Sequence, residues 1–278
     1  MKKQRILISV LIFIIFSTQI YNQNANSYST NQVELDTILK KCADYCENLD
    51  NVVLFFVCQE KIKEEIRLSL HTAKKERNVY VYDYQLIRKE NEINERRILL
   101  EENGQKKHEK DAQLKTKIFT YNNIIFGPID LLSEHWQQYY NYRIVKEEKL
   151  KGEKSIVIEA IPKPSFKLDY LYGKIWVRKN DFSILKIEWK QQSIKNYEIV
   201  EKTAREIGAE PQITLIAEYG FEKNGIRFPS KLFIQEAYSS LGIRRLTRCK
   251  YTVIYDGYKF FSVETDRKIK RDISSIGN

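Results

Sequence analysis

Four cysteines are the residues of this sequence whose types and spacing most readily suggest chemistry, and they are Cys42, Cys46, Cys58 and Cys249. The spacing Cys-x3-Cys-x11-Cys matches no standard zinc site, so we expect neither a metal ion nor a cofactor. An even cysteine count favours disulfides where a chain is exported, as the first residues of this one indicate below. Cys42 and Cys46 lie four residues apart on a predicted helix, a spacing that is rarely bridged. We therefore predict a Cys46–Cys58 disulfide, with Cys42–Cys249 as the second bridge.

Acid–base chemistry has little support in the sequence. The three histidines lie in charged or helix-surface surroundings. The pairs Glu101-Glu102 and Glu147-Glu148 are adjacent on predicted strands, where neighbouring side chains point to opposite faces, so neither pair converges on a substrate. No dinucleotide-binding, P-loop, serine-hydrolase or zinc-protease motif is present. We therefore predict that the protein is not an enzyme.

The first residues have the pattern of an export signal. Lys2, Lys3 and Arg5 precede an apolar run from Ile6 to Phe16, which as a helix would rise about 16 Å against a hydrocarbon core of about 30 Å. We predict a signal peptide over residues 1–27 and a periplasmic or extracellular protein. An uncleaved membrane anchor is the alternative.

The net charge of +10 comes from 47 basic residues that are interleaved with 37 acidic ones. This mixture, together with the export signal, predicts a solvated surface with no nucleic-acid partner. A weak peripheral contact with an anionic membrane surface is the sharper alternative.

Alternating apolar residues predict a mainly β chain of the α+β class. About ten strands are joined mostly by hairpins. Asn224-Gly225 gives the strongest hairpin signal, and a second hairpin is predicted to turn at Asp256-Gly257. Residues 92–102 are predicted to form a strand, after which Asn103-Gly104 turns the chain into a charged loop to about residue 115. Two amphipathic helices are expected, one over residues 35–49 and one from Pro128 to about residue 140. Such strands form one large curved antiparallel sheet whose concave face the helices cover. Residues 28–266 should form this single domain, followed by a charged tail over 267–278.

The abundant aromatic residues bear on function. The chain has 18 Tyr, 13 Phe and 3 Trp, many at alternating strand positions. Core packing is their ordinary use. The alternative is a concave face that is not completely filled, because a tyrosine ring is apolar while its hydroxyl can contact a polar head group.

Two segments carry a family resemblance, YGKIWVRKNDFSILKIEW and FEKNGIRFPSKLFIQ. Together with the export signal they resemble the periplasmic lipoprotein-carrier superfamily of LolA/LolB-like and LppX-like half-barrel proteins. The resemblance implies a half-barrel whose concave apolar face holds acyl chains. The implied strand lining is Ile175, Val177, Leu185, Ile187, Trp189, Leu215, Tyr219 and Phe233. The implied helical cover is Leu132, Trp136 and Tyr140.

The expected function is an exported binding or carrier protein for a hydrophobic ligand, a lipid or a lipoprotein acyl chain. The alternative is a non-enzymatic cell-envelope interaction or sensor module with a closed core, whose strand edges or 90–115 hairpin bind a protein partner. The presence or absence of open space beneath the second helix distinguishes these two functions. If the Trp136 region packs flush against Leu185, Ile187 and Trp189, the alternative gains.

Overall fold

The computed structural model describes residues 32–52, 55–70, 74–89, 92–165, 171–240 and 243–261. The predicted signal peptide and the predicted charged tail lie outside these described residues. The chain divides into two compact units, residues 1–41 and residues 42–278. The described part of the first unit is helical, and the Thr37 hydroxyl donates a hydrogen bond to the Val33 carbonyl 2.8 Å away. All of the strands described below lie in the second unit.

The helices are short except for α1. Helix α1 spans residues 32–52, and the later helices are α2 (Gly127–Leu132), α3 (Glu134–Gln137) and α4 (Tyr197–Glu206). The single helix predicted from Pro128 onward is divided, because Ser133 has an extended backbone with ψ 153°. Within the part of the chain that the structure describes, no helix combines the length and apolarity needed to cross a bilayer.

Most strands join in one open antiparallel sheet of eleven strands, which confirms the predicted fold class. Its spatial order is β4-β3-β2-β1-β13-β12-β9-β8-β7-β6-β5, so β4 and β5 are its edges. The first eight strands are β1 (Phe55–Ile66), β2 (Glu76–Lys89), β3 (Glu92–Glu102), β4 (Gln105–Glu109), β5 (Tyr140–Leu150), β6 (Glu153–Pro162), β7 (Gly173–Arg178) and β8 (Ile184–Trp189). The others are β9 (Glu210–Glu218), β10 (Phe221–Lys223), β11 (Ile226–Phe228), β12 (Lys231–Ser240) and β13 (Ile243–Phe260).

Of the two predicted hairpin turns, the structure confirms one and contradicts the other. Asn224-Gly225 forms the tip of the small β10–β11 hairpin, as expected. A hairpin turn predicted at Asp256-Gly257 is wrong, since β13 continues through both residues. There the register with β1 shifts between Val57 and Gln59, and Gly257 has a φ of 66°. Asp-Gly therefore makes a bulge in a long strand, because β1 supplies pairing partners on both sides of it.

The largest row of buried strand residues in the second unit lies on one face of the sheet. A row of cross-strand neighbours crosses this face from β6 to β2. All of its members are buried: Ile158, Ile175, Ile187, Ala217, Leu232, Val253, Ile62 and Tyr80. We call this the inner face and the opposite one the outer face. The row explains the alternating apolar pattern, because side chains two residues apart point to the same face.

The predicted disulfides are corrected by the structure, in which all four cysteines are free and buried. The Cys46 thiol on α1 lies 3.4 Å from the Pro128 carbonyl of α2, to which it donates a hydrogen bond. Cys58 is on β1, beside the Tyr258 hydroxyl. The two thiols therefore have separate partners. Burial raises the pKa of Cys42 and of Cys249 to about 12, which keeps both thiols protonated and unreactive.

This arrangement predicts that the unfolded, non-reduced chain carries four alkylatable thiols. Alkylation in denaturant without reductant should add four labels by mass spectrometry, whereas the folded chain should label slowly because its thiols are buried. Prior reduction should change neither result. Fewer than four labels before reduction, restored to four after it, would contradict free thiols.

Candidate functional site

The strand residues that were expected to line a ligand site do not all lie on the same face of the sheet. Ile175, Val177 and Ile187 are buried on the inner face. Leu185 instead packs with Val157 and Trp176 on the outer face. The reason is a bulge: Val177 pairs with Ile184 while Trp176 pairs with Lys186, so Leu185 is the extra residue and the alternation reverses.

The remaining strand residues are also divided. Trp189 and Leu215 are cross-strand neighbours on the inner face. Leu215 also pairs with Ile234 on β12. Phe233 is adjacent to Ile234 in sequence and therefore points to the outer face, where the Lys250 ammonium lies 5.8 Å from its ring centre.

Helix α2 fills the space above β8 that was expected to be open. A methyl group added at Gly127 would lie 2.9 Å from the Tyr219 hydroxyl oxygen, 3.2 Å from Trp189 Cζ2 and 3.4 Å from Ile187 Cδ1. The Tyr219 hydroxyl donates a hydrogen bond to the Ile124 carbonyl, 2.9 Å away, just before this helix. The start of α2 thus packs closely against β8 and Tyr219.

The predicted helical cover belongs to this packed region. Leu132 and Tyr140 are completely buried side chains. Trp136 is half-buried, and its ring contacts those of His135 and Tyr139, with centroids 5.2 and 5.4 Å apart. None of these three residues lines the cavity that is described next.

A cavity of about 730 Å³ lies elsewhere on the inner face of the second unit. Its apolar floor includes Leu215 and Ile234, and Ile194 and Phe119 form part of its wall. Leu215 is the member of the predicted set that lines it. The other lining residues are Glu95, Arg96, Arg97, Asp111, Ala112, Gln113, Leu114, Thr120, Tyr121, Asn122, Ile124, Leu171, Ser193 and Lys195.

One wall of the cavity is a segment that crosses the inner face, residues 112–123, which we call the strap. None of its residues belongs to a strand. Backbone N–H groups of the strap donate instead to side chains of the sheet. The pairs are Lys115 to Tyr82 Oη at 3.2 Å, Lys117 to Glu64 Oε1 at 2.9 Å, Ile118 to Tyr251 Oη at 3.1 Å and Asn123 to Glu95 Oε1 at 2.6 Å.

A buried ion pair fixes the end of the cavity nearest β3. Arg97 Nε lies 2.7 Å from Glu60 Oε2, and Arg97 also lies 3.5 Å from Glu95. Arg97 is 8% exposed and Glu60 is completely buried. Burial lowers the pKa of Arg97, but the charge of Glu60 and its hydrogen bond, together with the charges of Glu95 and Tyr121, raise it by more, so the net pKa is raised. The guanidinium therefore stays charged and remains paired with Glu60.

Tyr121 of the strap completes this cluster. Its hydroxyl donates a hydrogen bond to Glu60 Oε1, 3.1 Å away, and the Arg97 guanidinium lies 5.8 Å from its ring centre. Burial, followed by the negative charge of Glu60, raises the pKa of Tyr121 well above its ordinary value. The hydroxyl is therefore a permanent hydrogen-bond donor.

Sequence reasoning missed the buried acids of β1, although a signal was present. In CQEKIKEEI, Glu60 and Glu64 alternate with Cys58, Ile62 and Ile66, which places all five on one face of a strand. An acid on an apolar face requires a partner, and Arg97 and the strap supply partners. Among the described residues no group of three or more His, Cys, Asp or Glu side chains is placed to hold a metal ion.

Structural comparison gives three informative matches. A DUF1329 family protein from Desulfovibrio piger is 12% identical, with a TM-score of 0.39 and coverage of 84% of this chain and 98% of that one. A LolA superfamily protein from Nitrosomonas europaea is 13% identical, with a TM-score of 0.34 and coverage of 82% and 94%. An outer membrane lipoprotein-sorting protein domain from Vibrio parahaemolyticus is 11% identical, with a TM-score of 0.39 and coverage of 84% and 97%. The structural neighbours of this chain thus include DUF1329 and LolA superfamily proteins.

Sequence comparison gives one family. A search of the curated proteins found no match to this chain. A family model described as "Uncharacterized protein" matches residues 50–203, from the end of α1 into α4. Because the match covers more than half of the 278 residues, the chain belongs to this family.

Proposed function

We propose that the protein is an exported, non-enzymatic binding or carrier protein for a hydrophobic ligand, held in the cavity between the strap and the inner face. The observation that carries this proposal is the cavity itself. Its volume of about 730 Å³ falls in the range of about 300–1,000 Å³ that is common for small-molecule sites.

The distribution of lining residues favours an amphiphile with an apolar chain, such as a lipid or a lipoprotein acyl chain. Leu215 and Ile234 offer an apolar floor, whereas the exposed residues Arg96, Asp111 and Lys195 lie at the rim. Each methylene buried on such a floor contributes about 0.8 kcal/mol. The charged rim would contact the head group, and no reacting group is required.

Ligand entry would use displacement of the strap. The strap is held by hydrogen bonds to side chains of the sheet, including Glu64, Tyr251 and Glu95, and not by a strand ladder. Moving it therefore breaks these hydrogen bonds, the Ala112–Arg97 backbone bond and the ion pairs of Lys115 and Lys117. It leaves the pairing of the eleven strands intact. Segments with few backbone ladder bonds open at lower free energy than core strands.

A cell-envelope interaction or sensor module remains the second candidate, and the closed packing of Gly127 against Trp189 and Tyr219 favours it. In that function the same scaffold would bind a protein partner, with or without a peripheral contact to an anionic membrane. A pull-down from envelope extract that retains a stoichiometric protein after lipid depletion would support this candidate. Loss of the partner protein when the lipid is removed would support the carrier function.

The carrier proposal predicts different effects for two adjacent substitutions. Ile234→Trp fills the cavity floor, so a fluorescent fatty acid should bind at least about tenfold more weakly, as expected when two or more methylenes lose their contacts. Phe233→Trp is the matched control, because its side chain points to the outer face and should leave affinity unchanged. The measurement is fluorescence titration of the full chain. Unchanged affinity in Ile234→Trp, or no binding by the wild type, would contradict the proposal.

A further inference from the structure

We propose that Tyr121 is the end wall of the cavity and limits the length of the apolar chain that the cavity accepts. The inference rests on the proposed function and adds to it a specificity-determining residue. It also assigns an aromatic subsite behind Tyr121 that longer chains would enter once the ring is removed.

A second, much smaller void lies directly behind the cavity. Its volume is about 10 Å³, close to the smallest space that holds one water molecule. Glu95, Arg97, Tyr121 and Ile124 line both spaces and therefore separate them. The other residues around the void are largely aromatic, namely Phe56, Tyr84, Ile125, Pro229, Tyr255 and Tyr258.

Three of the four separating residues are fixed by the sheet or by the turn before α2. Arg97 and Glu95 belong to β3 and are held by the buried ion pairs with Glu60 and with each other. The Ile124 carbonyl accepts the Tyr219 hydrogen bond at the start of the packed region. Tyr121 differs from them, because it belongs to the strap and reaches the sheet through its side chain.

The ring and the hydroxyl of Tyr121 have separable roles. The hydroxyl bonds Glu60 and so holds the strap in place. The ring occupies the position between the cavity and the void, beneath the Arg97 guanidinium. Removing the ring would join the two spaces, and the rings of Phe56, Tyr255 and Tyr258 would offer the chain end an apolar surface.

The test measures which chain length binds most tightly. The full-length wild type, Tyr121→Ala and Tyr121→Phe would be titrated by displacement of a fluorescent fatty acid with unbranched saturated fatty acids from decanoate to eicosanoate. Each methylene that gains contacts should strengthen binding about fourfold. The fatty acid that Tyr121→Ala binds most tightly should be longer than the one that the wild type binds most tightly. Tyr121→Ala should bind that longer acid about tenfold more tightly than the wild type binds the same acid. Tyr121→Leu, a milder truncation, should shift in the same direction and serves if the alanine variant does not fold.

Tyr121→Phe is the matched control because it keeps the ring and loses the hydrogen bond to Glu60. It should keep the chain-length profile of the wild type. An unchanged profile in the truncated variants, while the wild type binds fatty acids, would overturn the role of Tyr121 and leave the carrier function standing. A shift in Tyr121→Phe equal to that of Tyr121→Ala would also overturn it, because the hydrogen bond would then set the limit. Absence of binding by every variant and the wild type would overturn both proposals.

Discussion

Replacing Arg97 with methionine should lower the free energy of unfolding by about 3–5 kcal/mol, the cost of leaving a buried carboxylate without its ionic partner. The carboxylate that would lose its ionic partner is that of Glu60, which is completely buried. The Tyr121 hydroxyl would remain as a donor to it, but a single neutral hydrogen bond does not replace a charged guanidinium. Methionine keeps the length and apolar character of the arginine stem, so the loss would report the charge and not a cavity.

Arg96→Met is the matched control for this prediction. Arg96 is the preceding residue of β3, and its exposed guanidinium pairs with exposed Asp111 at 2.7 Å. Exposed ion pairs contribute about 0–1 kcal/mol, so the control should unfold close to the wild type. Urea unfolding followed by circular dichroism would measure both variants. Equal stabilities for Arg97→Met and Arg96→Met would show that the buried ion pair does not stabilise the fold.

Local patterns account for the parts of the fold that the sequence predicted. The Asn224-Gly225 turn and the strand over residues 92–102 depend on neighbours within a few residues, and both are confirmed. The segment after Asn103-Gly104 was expected to be a charged loop, and it begins with the short edge strand β4. All of the side chains of β4 are exposed, so alternating hydrophobicity gave no signal for it.

The incorrect predictions arose where the structure depends on contacts between segments that are distant in the sequence. Leu185 has the same spacing from Ile187 as an inner-face residue would, and the bulge that moves it to the outer face depends on its pairing with β7. Asp256-Gly257 has the sequence of a turn, and β1 keeps it within a strand. The cavity was beyond prediction because the strap and the floor residue Ile234 are more than a hundred residues apart in sequence.

Gly173 opens β7 and lies closer to its neighbouring strand than any other amino acid could. A Cβ atom added there would be 2.1 Å from the Glu188 carbonyl oxygen and 2.8 Å from Trp189 Cα. Both contacts are with the backbone of β8, so no side-chain rotation relieves them. Sequence alone marked this glycine only as the first residue of an alternating stretch, because the close approach depends on the position of the partner strand.

Gly173→Ala should therefore lower the free energy of unfolding by about 3 kcal/mol, at the upper end of overpacking costs. The displaced strand end carries Trp189, which contacts α2 at Gly127, so a lower unfolding temperature should be accompanied by a change in tryptophan fluorescence. Gly220→Ala is the comparison variant. Its Cβ would meet the Ser230 side chain, with Oγ 2.6 Å away, and that hydroxyl can rotate. Gly220→Ala should thus cost about 1 kcal/mol, and an equal or larger loss there would show that the β7–β8 backbone contact does not require glycine.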